Sequence, residues 1–346
     1  MKQTSFGVPD IKYADIRGGR IKPGTIPECE IIDTIFKHYR NIGFPYQEPQ
    51  DKEKVVKELT NFNTNTIVKG DTIGKNMLGL GFLNPYFKHK WSVPCSGHKT
   101  PLEVYKNDED FRTVITKVWH WAVKHEGCKV SENRIRQGLK IYGGAYTVSN
   151  FRPTVAKYIY EKYGGPIVYD MSCGWGGRLL GALCSKNVKE YRGCEPATKT
   201  YTSLLKLSDD LGFIGKKVYI RYCGSEDFDT WKNYADISFT SPPYFDTEHY
   251  SNEDTQSYIA YPTLKEWLEQ FLKRMLYNAY ETTKVGGHIV INIANTPKYE
   301  CLESETFEFL SGILGLEHVK THKMILSSIA GKGQKTEPIF VFKKLS

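Results

Sequence analysis

The sequence contains no apolar run approaching the roughly 18 residues that a membrane-spanning helix needs. Its start, MKQTSFGVPDIKYADIRGG, lacks the apolar segment of a signal peptide. Both absences lead to the expectation of a cytoplasmic protein with no membrane partner. The eight cysteines lie far apart with no C-x-x-C pair, which argues against a zinc ribbon or redox dithiol and predicts reduced core thiols. No metal site is expected. Internal repeats, low-complexity tracts and a helix-turn-helix signal are also missing. The dinucleotide pattern G-x-G-x-x-G is absent too, which lowers any reading as a hydride-transfer enzyme.

What remains is an ordinary globular composition. The 346 residues are 40% hydrophobic and 25% charged, enough for a sizeable core and long enough for one large domain with an appendage, or for two domains. The net charge of +8 is unevenly spread. Residues 1–150 hold 23 Lys+Arg against 16 Asp+Glu, whereas residues 151–346 hold 24 against 23. An N-terminal excess of this kind suits a polyanionic partner.

From about residue 165 onward, short β-type runs alternate with helix-type stretches, the pattern of a doubly wound α/β fold. Seven strands are expected, at Ile167–Asp170, Tyr191–Glu195, Val218–Cys223, Asp236–Thr240, His288–Ala294, Lys323–Ser327 and Ile339–Lys343. Between the fourth and fifth, Thr263 and Glu266 have capping-box spacing ahead of an apolar stripe of Trp267, Leu268, Phe271, Leu272, Met275 and Ala279, with Gly286-Gly287 as the expected stop. The segment AGKGQKTEP is too short for a crossover helix, so the last two strands should form an antiparallel hairpin at one end of the sheet. Upstream, VSNFRPTVAKYIYEKYGG reads as a helix with Pro153 in its first turn, a face of Val155, Ile159 and Tyr163, and Gly164-Gly165 as its end. Residues 1–145 are less regular, with helical stretches at Glu30–Tyr39, Lys52–Asn61 and Glu109–Lys124, and the first 25 residues read as a basic arm. The expected division is therefore a basic, mainly helical domain over 1–145 and an α/β domain over 146–346.

The chemistry gathers at strand ends. IVYDMSCGWGGRLLGAL places a glycine-rich turn (Gly174, Gly176, Gly177) after Asp170, where ligands of doubly wound sheets bind and glycines let a ligand approach the backbone. Glu195 closes the second strand, where an acid can accept from both hydroxyls of a ribose. After the third strand, Gly224-Ser225-Glu226-Asp227-Phe228 offers Asp227 to an adenine amino group and Phe228 to its ring. After the fourth comes Ser241-Pro242-Pro243-Tyr244. Its prolines fix the backbone so that the Pro242 carbonyl and the Ser241 hydroxyl can point at one place, with Tyr244 as a flat face beside them. Two acceptors and an aromatic face suit a planar amine.

Taken in order, Asn150-Phe151-Arg152-Pro153, Asp170–Gly177, Glu195, Asp227 and Ser241-Pro242-Pro243-Tyr244 resemble the amino-methylating DNA methyltransferases that use S-adenosylmethionine. The resemblance covers roughly residues 145–346. It implies a class I methyltransferase (Rossmann-like) fold, a seven-stranded mostly parallel sheet with a C-terminal antiparallel hairpin. Asp170, Ser172, Gly174 and Gly176 would cradle the methionine part of the cofactor, Phe151, Arg152 and Pro153 would close over it, Glu195 would hold the ribose, and Asp227 and Phe228 the adenine. Ser241, Pro242, Pro243 and Tyr244 would form the catalytic turn that receives the amine of a base rotated out of duplex DNA.

Departures from the family pattern matter as well. Only about 60 residues separate the glycine turn from Ser241, too few for a recognition domain, so the basic residues 1–145 are the candidate DNA reader. Met171 and Ser172 stand where the family often has proline and phenylalanine. The loop Phe245–Pro262, with Tyr250, Tyr258 and Tyr261, either contacts the flipped base or is simply a polar loop, and Gly331–Lys335 is either a phosphate contact or a solvated hairpin tip. Serine ahead of Pro-Pro-Tyr leans in this family to cytosine N4, with adenine N6 open. The rival readings are RNA or protein-glutamine amine methylation, and a non-catalytic nucleic-acid-binding chain that kept the fold. A restriction partner is compatible with the sequence.

Overall fold

The computed structural model describes residues 11–228, 231–329 and 333–346. Residues 1–10 of the expected basic arm, and Gly331 and Lys332 of the hairpin tip, lie outside them. No helix among the described residues is long and apolar enough to cross a membrane.

The chain forms two compact units, one of residues 1–47 and 90–148, the other of residues 48–89 and 149–346. The first is helical, with helices at Tyr13–Arg17, Glu28–Ile42, Pro101–Lys106, Asp108–His125 and Glu132–Ile141. Three start on side-chain caps, Thr100 in a full capping box with Glu103, then Asn107 and Ser131, each accepting from a backbone N–H that the helix leaves unpaired. Ile31, Ile35, Tyr39, Phe111, Val114, Val118, Ile135 and Leu139 form its core at helical spacing. Gly138 lets its helix close on the preceding one, Asp108–His125, since a Cβ there would collide with Val118. The basic excess stays in this unit, 17 Lys+Arg against 11 Asp+Glu.

The second unit is built on one sheet of nine strands: β1 (Val68–Lys69), β2 (Thr72–Ile73), β3 (Ile167–Asp170), β4 (Glu190–Cys194), β5 (Lys217–Arg221), β6 (Ala235–Thr240), β7 (Thr283–Asn292), β8 (Leu316–Ile329) and β9 (Gly333–Lys344). Their order is β1-β2-β8-β9-β7-β6-β3-β4-β5. Strands β7, β6, β3, β4 and β5 run parallel, and β9 is antiparallel to both β7 and β8. This order and the inserted antiparallel β9 define a class I methyltransferase-like α/β fold. All seven expected strands are present. Two further strands lengthen the sheet, because β2 pairs parallel with β8 and so covers the edge of the terminal hairpin. The hairpin therefore does not end the sheet.

Residues 48–89 wrap the helix Pro153–Tyr163, and a single boundary near residue 145 misses this return of the chain. That helix is buried on nearly every side. Lys157 donates to the Phe62 carbonyl at 3.1 Å and pairs with Glu161 at 2.7 Å, while Thr64 donates to Glu161 at 3.1 Å. A cation so placed needs these partners to remain buried. The helical run from Leu264 starts in the expected Thr263–Glu266 capping box and passes through a π-helical segment, Trp267–Leu272. It ends at Thr282, not at the glycine pair. Gly286 and Gly287 lie inside β7, opposite a register shift in β6, where Gly286 takes φ +84° and a Cβ on Gly287 would crowd the Asp236 carbonyl.

Candidate active site

β3 pairs with β4 on one side and β6 on the other, so the strand order reverses between β3 and β6. Ligands of open α/β sheets bind beyond the carboxyl ends of strands at such a point. The turns leaving these two strands are the glycine-rich turn and Ser241–Tyr244.

Asp170 ties them together. Fully buried at the end of β3, it accepts from Arg178 Nε at 2.8 Å, Tyr191 OH at 2.6 Å, Thr240 Oγ1 at 2.9 Å and the Ser172 N–H at 3.2 Å. Four protein donors occupy its carboxylate, so Asp170 acts by positioning the turn. Arg178 also donates to the Ser172 carbonyl, and its guanidinium lies 5.6 Å from the Phe151 ring centroid. Burial acts to lower its pKa, but the adjoining Asp170 charge outweighs this and holds it above the ordinary arginine range. Sequence reasoning passed over Arg178, Tyr191 and Thr240, because their common partner is not local in sequence.

The glycines divide the work of the turn. Gly174 takes φ +56°, and the space where a Cβ would stand is open except for the Ser172 carbonyl at 3.7 Å. A ligand can reach the backbone there. Gly176 and Gly177 serve packing, since a Cβ on the first would crowd Leu207 and Phe87 and one on the second would collide with the Phe151 carbonyl. Between Gly174 and Gly176, Trp175 packs against Phe87 at 6.0 Å, His89 at 5.2 Å and Tyr250 at 5.8 Å. The Asn150 amide donates to the Trp175 carbonyl at 2.9 Å. Phe151 sets its ring edge against Phe239 at 5.4 Å. Arg152 is buried, donating to the carbonyls of Gly74 and Ile325, and Pro153 fills the first turn of its helix.

Glu195, buried after β4, accepts from the Gly174 N–H at 2.9 Å through one oxygen and from the Ala197 N–H at 3.0 Å through the other. Burial pushes its carboxyl up to about 7, against the lowering effect of these two amides. After β5 the two neighbouring acids differ. The Asp227 side chain is 66% exposed and stands 3.8 Å from Arg274, whereas Glu226 is 4% exposed and its Oε2 has no hydrogen-bond partner among the described residues. Burial pushes Glu226 up to about 7 as well. Phe228 is buried against Trp231 at 4.5 Å and Tyr169 at 5.9 Å, a core position.

In the turn after β6, Pro242 is buried, while Ser241, Pro243 and Tyr244 are partly exposed. Tyr244 donates to Glu337 of β9 at 3.4 Å and is also hydrogen-bonded to Ser241. The following loop folds back over the turn after β4, where Glu253 accepts from the Thr198 N–H at 3.0 Å and Thr255 donates to the Pro196 carbonyl at 3.0 Å. Tyr250 donates to Glu248, and Tyr258 donates to the Ser251 carbonyl at 2.7 Å while stacking on His249 at 4.6 Å.

No protein-family model and no curated protein matches the chain. Among solved structures it is similar to the N-methyltransferase NodS from Bradyrhizobium japonicum WM9, with 9% identity over 56% of this chain and 94% of that one and a TM-score of 0.40. NodS in complex with S-adenosyl-l-homocysteine gives 10% identity, coverage of 56% and 84%, and a TM-score of 0.38. An rRNA methylase from Streptococcus thermophilus gives 14% identity, coverage of 57% and 100%, and a TM-score of 0.37. The fold class given above stands on the strand order of this chain itself.

Proposed function

We propose that the chain is an S-adenosylmethionine-dependent methyltransferase acting on the exocyclic amine of a base in DNA, cytosine N4 ahead of adenine N6, with the basic helical unit contributing to DNA binding. The observation that carries this reading is the joining of the glycine-rich turn to Ser241–Tyr244 at the switch point of the sheet, through the Thr240–Asp170 hydrogen bond of 2.9 Å.

The residues present suit that cofactor. Each Glu195 oxygen has accepted one backbone N–H and keeps a lone pair for a ribose hydroxyl. Glu226 holds a buried oxygen without a donor, as an adenine amino group would supply, and takes the role that sequence order suggested for Asp227. The open side of Gly174 admits the methionine portion. When bound, the cofactor supplies an electrophilic methyl group on a sulfonium. The Pro242 carbonyl and Ser241 hydroxyl accept from the two amine hydrogens, Tyr244 stacks on the base, and the nitrogen lone pair is left facing the glycine turn. Positioning and exclusion of water then account for most of the rate.

One pH dependence follows from Glu195. Ribose hydroxyls donate to the ionised carboxyl, so affinity for S-adenosylhomocysteine weakens about tenfold per unit as pH falls below about 7. Glu195→Gln flattens this dependence, as read by calorimetric titration at several pH values. For folding of the free protein the sign is opposite. A carboxyl raised from 4.5 to about 7 contributes stability at low pH that is lost as pH rises through that interval.

The deciding assay supplies methyl-labelled cofactor with unmethylated duplex DNA, RNA or protein extract, then digests labelled nucleic acid to nucleosides for mass spectrometry. Methylcytosine or methyladenine from DNA is the expected product. Label confined to RNA or to protein glutamine would overturn the DNA assignment, and tight cofactor binding without transfer to anything would leave a non-catalytic binding protein.

A further inference from the structure

Two of the eight cysteines meet in space although 29 residues separate them, a pairing that no C-x-x-C spacing announces. Cys194 is the last residue of β4, and Cys223 lies two residues beyond the end of the neighbouring β5. The register pairs Cys194 with Arg221, and the chain beyond Arg221 brings the Cys223 sulfur to 3.8 Å from that of Cys194. The two are in contact, and a disulfide between them needs a separation of about 2 Å.

Their settings differ. Cys194 is 1% exposed, with the Tyr169 hydroxyl 3.8 Å from its sulfur. Cys223 is partly exposed, so a small oxidant in water reaches it first. Cys173, also near Cys194, is buried, with its sulfur set over Gly193, where a Cβ would collide with it. As neutral thiols, Cys223 donates to Cys194. When Cys223 ionises the donation reverses, and this hydrogen bond together with the Arg221 charge holds the Cys223 thiol below its ordinary range, against burial and the charges of Glu226 and Asp227. The thiolate is the form that attacks an oxidant.

We propose that Cys194 and Cys223 form an oxidisable dithiol, which hydrogen peroxide converts to a disulfide, and that this link weakens the adenosine half of the cofactor site. The Cys223 thiolate attacks a peroxide oxygen, so that S–O forms, O–O breaks and hydroxide leaves, taking up the proton that Cys223 released. The Cys194 thiol then attacks the Cys223 sulfur, so that S–S forms, S–O breaks and the hydroxyl leaves with the Cys194 proton as a second water. The two sulfurs give up two electrons and the peroxide gains them. The effect on the site rests on the cofactor reading above. Cys194 immediately precedes Glu195, assigned to the ribose, and Cys223 stands three residues before Glu226, assigned to the adenine amine. Closing the sulfurs from 3.8 Å to about 2 Å draws together the strand ends that place both acids.

The test treats the full chain with hydrogen peroxide and digests it without reductant for mass spectrometry. The expected product is a peptide pair joined through Cys194 and Cys223, split by dithiothreitol. The oxidised protein should bind S-adenosylhomocysteine about tenfold more weakly by calorimetric titration, the scale of one hydrogen bond to a charged group, and dithiothreitol should restore binding. Coupling is reciprocal, so in a glutathione redox buffer saturating S-adenosylhomocysteine should lower the disulfide-to-dithiol ratio by the same factor. Cys223→Ser should bind as the reduced wild type does and ignore peroxide. Exposed Cys29 still oxidises in that variant, which separates the link from general thiol damage. Absence of the link at peroxide levels that oxidise Cys29, a Cys173–Cys194 link in its place, or a link that leaves affinity unchanged overturns this inference while cofactor binding stands. Failure of the reduced protein to bind S-adenosylhomocysteine overturns the cofactor reading, and the control of that site with it.

Discussion

Asp170→Ala should destabilise the second unit by about 3–5 kcal/mol, the cost of leaving one member of a buried ion pair without its partner. The loss exceeds that of one contact. Arg178 is 4% exposed and directs Nε at this carboxylate, while Tyr191 and Thr240, both buried, donate to it as well. Removing the acceptor strands these three side-chain donors and the Ser172 N–H in a region with little water to replace it. Against the few kcal/mol by which domains are ordinarily stable, this is a large share. Thermal unfolding should show the transition of the second unit moving down while the helical unit keeps its own. A double variant, Asp170→Leu with Arg178→Met, should regain part of the loss, because replacing both charges removes the unpaired ion. Equal stability of Asp170→Ala and the wild type would show that the network contributes nothing net.

Ser241→Ala should lower methyl transfer by about 10²- to 10³-fold, the scale of removing one hydrogen-bonding group aimed at a reacting centre. Affinity for S-adenosylhomocysteine should not change, since the proposed cofactor contacts are Glu195, Glu226 and Gly174 and not Ser241. The structural cost is small, because Ser241 is partly exposed and alanine fits the same backbone. The effect belongs in kcat with KM for DNA little altered, because the amine is a minor part of a duplex interface. A variant that transfers at the wild-type rate would exclude the serine hydroxyl from the reaction and leave the Pro242 carbonyl as the acceptor. Loss of cofactor affinity in the same variant would instead place Ser241 within the cofactor site.

Local pattern carries a large part of this protein. The seven strands, the capping box at Thr263 and the two strand-end turns are legible because each depends on neighbours within a few residues: β-type runs, a cap three residues from its acid, glycines and prolines with few backbone options. β1 and β2 are two residues each and show no period; β2 is a strand only by pairing with the edge of β8, and β1 only by pairing with β2. The choice of Glu226 over Asp227 as the buried acid is likewise tertiary, because adjacent residues after a strand differ chiefly in which way the side chain turns. Arg178, Tyr191 and Thr240 meet at Asp170 from separate elements, and Glu337 reaches Tyr244 across 93 residues. By itself the sequence determined most of the elements and the two strand-end turns proposed to carry the chemistry. Only the tertiary structure decided which polar groups lose water together, and burial without water sets which of them hold structure and which remain for a ligand.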